Sequence, residues 1–216
     1  MKRSTAAPLG DEANGTCDAL STGGGRHDRI DHRNRRNAPA DGNGPRAQTC
    51  AAAGADESQT LKQTAYQECL ETIAAIWSDE GGASLDDIAL MATINSVLAN
   101  RFPHFYWTGF YRVCGDRLVV GPYIGTIGCL LIEFGRGVCG TAAARRETVI
   151  VPDVHQFPGH IACDPKSQSE IVVPVFGPDG DLIAVLDVDS DQLDAFDEED
   201  QKGLETIVGL FEKASW

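Results

Sequence analysis

Residues 129–175 read CLLIEFGRGVCGTAAARRETVIVPDVHQFPGHIACDPKSQSEIVVPV. Apolar runs rich in Val, Ile and Leu alternate here with turns that contain Gly or Pro, which is typical of short strands joined by tight connections. The stretch also holds three of the seven cysteines of the chain, Cys129, Cys139 and Cys163. We therefore expect the chemistry of the protein in this stretch, with the rest of the chain as its frame.

The flanking segments predict a mainly antiparallel sheet. FYWTGFYRV (105–113) and RLVVGPYI (117–124) are rich in aromatic and β-branched residues and predict a hairpin. EIVVPVFG (170–177) and DLIAVLDVDS (181–190) predict a second hairpin around a Pro-Asp-Gly turn. Between the two hairpins, CLLIEF and TVIVPD predict further strands, and TAAARRE predicts a short helix.

Three longer helices frame these strands. Helical spacing of apolar residues predicts a helix over 61–80 that Gly81-Gly82 ends, and a second over 85–102 that Ser84 caps. The segment FDEEDQKGLETIVGLFEKA (196–214) predicts a third helix with acids in its first turn. The order of elements predicts an α+β fold, a single domain with a mainly antiparallel central sheet and helices on one face.

The N-terminal segment has a different composition. Residues 1–58 contain no Phe, Trp, Tyr or Val, so they bury too little apolar surface to offset their chain entropy. We predict that 1–58 is a disordered extension and that 59–216 is the folded domain. The extension holds equal numbers of acidic and basic side chains, so the net charge of −14 falls on the folded domain.

Charge and hydropathy exclude several classes of partner. A domain this acidic repels phosphate backbones, so we expect no nucleic-acid partner. No apolar run approaches the ~20 residues that span a bilayer, and the N-terminus lacks the apolar core of a secretory signal. We therefore expect a cytoplasmic protein without a membrane partner, whose thiols are kept reduced. No C-x-x-C pair occurs, so we expect no zinc ribbon or finger, and we predict no metal-binding residues.

Residues 135–140, GRGVCG, match the G-x-G-x-x-G pattern of dinucleotide-binding proteins, and Asp153 ends the following strand. The helix predicted after the glycines has barely two turns, too few to cross over a parallel sheet. No second strand-helix-strand unit follows. We reject a dinucleotide site and interpret the glycines as a tight turn that carries Cys139.

The cysteines of the central stretch differ in their surroundings. Cys129 and Cys139 stand among apolar residues, where a cysteine is usually inert packing. Cys163 lies in a polar loop close to His160, and a thiolate near an imidazolium gains reactivity. The residues alone leave Cys163 open as a nucleophile or a bystander, and they leave His155 and His160 open as a base, an orienting group or neither.

Acidic and aromatic side chains recur at strand spacing. Asp187 and Asp189 are two residues apart on a predicted strand and point to one face, and Glu170 opens the neighbouring strand. Such acids mark either a functional face or the solvated side of the sheet. Trp107 and Tyr111 likewise share a face, as core aromatics or as the wall of a site.

Five segments together resemble the free methionine-(R)-sulfoxide reductases, single-domain enzymes of the GAF fold. They are YWTGFYRV (106–113), GRGVCGTAAA (135–144), VPDVHQFPGHIACD (151–164), SEIVVPV (169–175) and VLDVDS (185–190). The resemblance covers about residues 62–215, and its cysteine-bearing motifs are more specific than a general GAF pattern. It departs at Thr126-Ile127-Gly128, where relatives often carry a Lys-Pro-Ala type of triplet.

The resemblance implies roles for the three cysteines. Cys163 is the catalytic cysteine, Cys129 the resolving cysteine, and Cys139 an auxiliary or alternative partner. The Cys163 thiolate would attack the sulfoxide sulfur, leaving methionine and a sulfenic acid on the protein. Cys129 would condense with the sulfenic acid to a disulfide, which thioredoxin would reduce. No bound cofactor is implied.

The resemblance also implies the binding residues. Trp107 and Tyr111 match aromatics that line the pocket for the S-methyl end of the substrate. Glu170, Asp187 and Asp189 match carboxylates that bind its ammonium and assist the chemistry, with one of them protonated as the proton donor. Free methionine-R-sulfoxide suits such a cluster, because methionine within a peptide has no free ammonium. Relatives suggest a homodimer.

Two other classes of function compete with this interpretation. GAF domains commonly bind cyclic nucleotides or metabolites as sensors, although an anionic nucleotide does not suit three carboxylates. A thiol-based redox sensor would use the same cysteines without turnover. Reduction of free methionine-R-sulfoxide separates the enzyme from both.

Overall fold

The computed structural model describes residues 47–79, 86–161 and 163–213. Within these residues the structure has five α-helices and six strands. They are α1 (Ala47–Asp79), α2 (Asp87–Arg101), β1 (Trp107–Cys114), β2 (Arg117–Ile124), β3 (Leu131–Glu133), α3 (Gly137–Arg145), β4 (Val149–Val151), β5 (Ser169–Phe176), β6 (Leu182–Ser190), α4 (Glu198–Val208) and α5 (Leu210–Lys213), with a 3₁₀ turn at Val154–Gln156. The two predicted hairpins are confirmed, because β1–β2 and β5–β6 match their predicted segments to within two residues.

The strands form one sheet in the order β3-β2-β1-β6-β5-β4, and every adjacent pair is antiparallel. The hairpin β1–β2 therefore meets the hairpin β5–β6 through β1 and β6 at the centre of the sheet. Their register places Trp107 opposite Asp189 and Gly109 opposite Asp187. This central seam brings the predicted aromatics and acids together.

Alternation along the strands divides the core between the two faces of the sheet. Phe110, Ile171 and Leu186 face α1, α2 and α4, the three helices that cover one side. Tyr111 and Val185 face the other side, where α3 packs. The predicted α+β fold with its helices on one face is confirmed for the long helices, and the short α3 lies on the opposite face, over the site described below.

Two helix ends differ from the predicted ends. Asp86, not Ser84, caps α2, because its carboxylate accepts a hydrogen bond from the backbone N–H of Ala89 (3.1 Å). Ser84 and the predicted stop at Gly81-Gly82 lie outside the described residues. Helix α1 begins at Ala47, within the segment predicted to be disordered, in a run rich in Ala, the strongest helix former. The rest of the predicted extension, 1–46, lies outside the described residues.

A buried carboxylate joins the first and last long helices. Asp197 caps α4 and Asp200 completes a capping box with it. Asp200 is fully buried and accepts hydrogen bonds from Lys62 (2.6 Å) and Tyr66 (2.8 Å) of α1. Because every charge at this junction has a partner, α1 is held against α4 and the first face of the sheet stays covered.

None of the described helices combines the length and the apolar composition that crossing a bilayer requires.

Candidate active site

Three carboxylates lie together on the α3 side of the sheet. Glu170 on β5 is opposite Asp189 on β6, and Asp187 is two residues earlier on the same strand. Glu170 and Asp187 are both 5% exposed, and Asp189 is partly buried. Of the two alternatives left open by the sequence, the structure therefore contradicts a solvated face. The acids instead form one buried cluster.

Burial and mutual repulsion make this cluster reluctant to ionise. Burial, followed by the charges of Asp187 and Asp189, raises the pKa of Glu170 well above its ordinary value. Burial raises the pKa of Asp187, and burial together with the charge of Asp187 raises the pKa of Asp189. Ionising all three carboxylates this close together has a high free-energy cost. The site therefore retains protons and favours a cation.

Cys139 approaches the acids from helix α3, which packs over them. It lies in the first turn of α3, is 4% exposed, and its thiol donates to Glu170 Oε1 (Sγ···O 3.8 Å). Burial, and then the charges of Asp187 and Glu170, raise the pKa of this thiol well above its ordinary value. Cys139 is therefore a buried neutral thiol in the acid cluster and not an exposed thiolate.

The glycines of residues 135–140 place Cys139 there. Gly135 and Gly137 both have positive φ (78° and 61°), which confirms the predicted tight turn. A Cβ on Gly140 would lie 2.2 Å from the carbonyl oxygen of Glu133, so only glycine allows α3 to approach β3 this closely. Helix α3 consequently begins at Gly137, four residues before the predicted start.

Two aromatic side chains form a wall beside the acids. The rings of Trp107 and Tyr111 are stacked with centroids 5.8 Å apart, and both residues are almost fully buried. The indole N–H donates to the carbonyl of Thr126 (3.0 Å). The indole also occupies the space that a side chain at position 109 would need, since a Cβ on Gly109 would lie 2.5 Å from the ring. The stacked pair gives the site an apolar side next to its acidic one.

Cys129 and Cys163 form a disulfide across 34 residues, with a Cα–Cα distance of 5.6 Å. It joins the two cysteines that the resemblance pairs as resolving and catalytic. Cys163 is exposed and Cys129 is half-buried, so a partner in solution reaches the disulfide while Cys139 stays covered.

The acid that follows Cys163 connects the two disulfide-bearing loops, and sequence reasoning missed it. Asp164 Oδ2 accepts hydrogen bonds from Thr126 and from the Tyr106 hydroxyl (2.9 Å), and Oδ1 accepts from the backbone N–H of Lys166 (2.8 Å). The hydrogen bond from Thr126 is the main reason that the pKa of Asp164 is lowered. Its adjacency to Cys163 in sequence was the available signal.

The two candidate histidines separate. His160 lines the cavity, with Nε2 3.9 Å from Glu170 Oε2, and burial lowers the pKa of its imidazole. His155 is exposed and contacts Asp153 through Nδ1 (3.0 Å), away from the cavity lining. Only His160 is placed to act in the site.

Seven of the eight predicted site residues line one cavity. The eighth, Cys129, borders this cavity through its disulfide with Cys163. The empty volume of the cavity, including its open mouth, is about 520 Å³. Sequence reasoning did not identify several lining residues, which come from strand β3 and from separate loops: Thr126, Ile132, Arg136, Ile161, Asp164 and Ser167. The cavity offers an acidic end, an aromatic wall and a disulfide at its mouth.

Comparison with known proteins agrees with this arrangement. The GAF-domain family model matches residues 63–214. The chain is 45% identical over 126 residues to the free methionine-R-sulfoxide reductase of Escherichia coli (strain K12), covering 58% of this chain and 76% of that protein.

Two solved structures are similar in sequence and shape. The free methionine-R-sulfoxide reductase of Neisseria meningitidis, in complex with its substrate, is 44% identical with a TM-score of 0.66, covering 71% of this chain and 90% of that one. The reduced form of fRMsr of Staphylococcus aureus is 40% identical with a TM-score of 0.65, covering 70% and 95%. The chain therefore belongs to the GAF-domain family and, within it, to the free methionine-R-sulfoxide reductases.

Proposed function

We propose that this protein reduces free L-methionine-(R)-S-oxide to L-methionine with its own thiols. The observation that supports this most directly is the Cys129–Cys163 disulfide at the mouth of a cavity that ends in three buried carboxylates. A disulfide in that position corresponds to the oxidised enzyme after one turnover. Relatives that bear the reductase name supply the substrate class.

Binding follows from the charges of the cavity. The acid cluster of Glu170, Asp187 and Asp189 favours a cation, and the substrate ammonium relieves part of its repulsion. The stacked rings of Trp107 and Tyr111 provide an apolar surface for the S-methyl end. Methionine within a peptide brings no ammonium to the cluster, so the free amino acid is preferred.

The chemical step uses Cys163 in its reduced form. Its thiolate attacks the sulfoxide sulfur while a protonated carboxyl of the cluster donates a proton to the sulfoxide oxygen. The oxygen is transferred to Cys163, so methionine is released and Cys163 becomes a sulfenic acid. The raised pKa of Glu170 and of Asp189 keeps protons available for this role near neutral pH.

Recovery of the thiols uses Cys129. Its thiol condenses with the sulfenic acid, releasing water and forming the disulfide, which thioredoxin then reduces by thiol–disulfide exchange. Cys163 is exposed and accessible to such a reductant. The proposal includes no bound cofactor, a cytoplasmic location with reduced thioredoxin, and a homodimer.

A coupled assay tests the proposal. Thioredoxin, thioredoxin reductase and NADPH are supplied with either epimer of free methionine sulfoxide, and NADPH consumption is followed. We expect consumption with the R epimer only, and none with Cys163→Ser. Cys114→Ser is the matched control, because Cys114 is an exposed free cysteine at the end of β1, outside the cavity lining. Absence of consumption by the natural sequence would favour a sensor, and binding without turnover would identify a ligand-sensing one.

A further inference from the structure

Cys139, Glu170 and Asp187 form a compact donor set with mixed chemistry. One thiol sulfur and one oxygen from each carboxylate lie within 4.8 Å of one another, and all three residues are buried. They come from α3, β5 and β6, so no sequence motif indicates the set. The sulfur–oxygen distance of 3.8 Å is close to the ~3.5 Å edge of a tetrahedron with ordinary zinc–sulfur and zinc–oxygen bonds.

Two further observations point to a ligand at this position. Asp187 Oδ1 is buried and accepts no hydrogen bond within the described part of the chain, although the side chain lines the cavity. A buried carboxylate oxygen without a partner is costly, and a cation would satisfy it. His160 Nε2 lies 3.9 Å from the second oxygen of Glu170 and adds a nitrogen donor beside the set.

Charge also favours a cation there. Among the described residues, the only ion-pair contact that an acid of the cluster makes is that of Glu170 with His160. A thiol together with an imidazole selects zinc-like transition metals, whereas Mg²⁺ prefers octahedral oxygen ligands and retained water.

We propose that Cys139, Glu170 and Asp187, with His160 beside them, bind a zinc-like divalent cation that excludes the substrate ammonium. The ion coordinates the Cys139 sulfur, whose proton leaves to solvent, and occupies the space of the acid cluster. The ion acts as a reversible inhibitor, not as a cofactor. The binding site stands without the proposed reductase function, whereas the inhibition rests on it.

Metal binding is measured on the full-length protein with its disulfide closed, so that Cys129 and Cys163 are not available as thiolates. Co²⁺ serves as the spectroscopic probe, because a cobalt–thiolate bond gives a near-ultraviolet charge-transfer band. We expect one Co²⁺ per chain, displaced by Zn²⁺ and not by Mg²⁺. Cys139→Ser should remove the band and weaken Zn²⁺ binding about tenfold or more.

Two variants keep this test decisive. Cys114→Ser leaves the proposed donors intact and should keep the band. Glu170→Gln retains all thiols and should keep a sulfur-based band but weaken binding, which separates loss of a ligand from loss of the fold. A Co²⁺ band of equal intensity in Cys139→Ser, or absence of binding by the natural sequence, would overturn the site.

Activity measurements separate this site from the proposed function. Zn²⁺ should raise the KM for the sulfoxide in the coupled assay with little effect on kcat, and an added chelator should restore the original KM. A chain that binds Co²⁺ through Cys139 but reduces no sulfoxide keeps the metal site and overturns the reductase. An active enzyme whose KM is unaffected by saturating Zn²⁺ overturns the inhibition.

Discussion

Asp164 accepts a hydrogen bond from the hydroxyl of Thr126, which precedes it by 38 residues. Thr126 lies three residues before Cys129, and Asp164 directly follows Cys163, so this bond spans the same two loops as the disulfide. Tyr106 donates to the same carboxylate oxygen and fixes it to the start of β1. The two loops are therefore connected by a polar contact that involves neither cysteine.

Thr126→Val should slow disulfide formation without slowing sulfoxide reduction itself. The substitution keeps the shape of the side chain but removes the donor to Asp164, so the Cys129 loop loses one contact with the Cys163 loop. We expect disulfide formation after a single turnover to slow by about threefold to tenfold. Acid quenching, alkylation of thiols and mass spectrometry give the fraction of disulfide over time.

Thr93→Val is the matched control for this variant. The Thr93 hydroxyl donates to the carbonyl of Ala89 within α2, far from both loops in sequence. Disulfide formation should proceed at the natural rate in this control. Equal slowing in both variants would show that Thr126 has no special part in bringing the cysteines together.

The acid cluster should make the ligand-free protein less stable as the pH rises. The pKa values of Glu170, Asp187 and Asp189 are higher in the folded chain than in the unfolded chain, so the folded state binds more protons between the two sets of values. The free energy of unfolding therefore falls as the pH rises from about 4 through this window. Thermal unfolding across this pH range gives the slope.

Glu170→Gln should raise Tm at neutral pH and flatten that slope, because the neutral amide removes the free-energy cost of keeping a buried carboxyl protonated. The gain should be about 2–4 °C for each kcal/mol of that cost. The same substitution should reduce kcat/KM, since it removes a carboxylate from the cluster that favours the ammonium. A variant with lower Tm and an unchanged pH slope would mean that Glu170 is stabilising in its natural form.

Trp107→Phe should weaken substrate binding more than it destabilises the fold. Phenylalanine keeps an aromatic ring on Tyr111 but removes the indole N–H that donates to Thr126. We expect KM to rise by about threefold to tenfold with a smaller change in kcat. Tyr123→Phe keeps the outer stacking partner of Trp107 and should leave KM unchanged. A KM that rises equally in both would assign the effect to general loosening of β1 and β2.

Gly140→Ala should destabilise the protein more than Gly135→Ala. A Cβ at position 140 meets the carbonyl oxygen of Glu133 at 2.2 Å, whereas a Cβ at position 135 meets nothing within 4 Å and is disfavoured only by its positive φ of 78°. The clash should cost about 1–3 kcal/mol by displacing α3 from β3. Urea unfolding of both variants compares them, and equal losses would contradict a special requirement for close approach at Gly140.

Much of the sheet was predictable because its signals are local. Period-two patterns in 105–124 and 170–190 indicate both hairpins, and the same periodicity places Asp187 and Asp189 on one side of a strand. Which side becomes buried is not local. Burial of one side depends on α3 packing over the acids. The sequence indicates only a short helix bounded by glycines and does not indicate where that helix packs.

The contacts of Asp164 and the donor set around Cys139 were beyond sequence reasoning for a related reason. Thr126 and Asp164 are polar loop residues without periodicity, and the bond between them joins loops that are 38 residues apart in sequence. The donor set belongs to three different elements, and the donor atoms of Cys139, Glu170 and Asp187 come together only in the folded chain. The prediction that Ser84 caps α2 was wrong. Ser and Asp are both favourable capping residues, so the position at which the helix starts decides between Ser84 and Asp86.

The missing side chain at Gly109 has a consequence for how this protein could be altered. A Cβ at position 109 would lie 2.4 Å from the Cβ of Tyr123 and 2.5 Å from the Trp107 ring, so the present position of the indole depends on the absence of a side chain there. Any larger residue there would have to displace the indole or Tyr123, and a displaced indole changes the apolar wall of the cavity. The shape of that wall thus depends on a position that is itself outside the cavity lining.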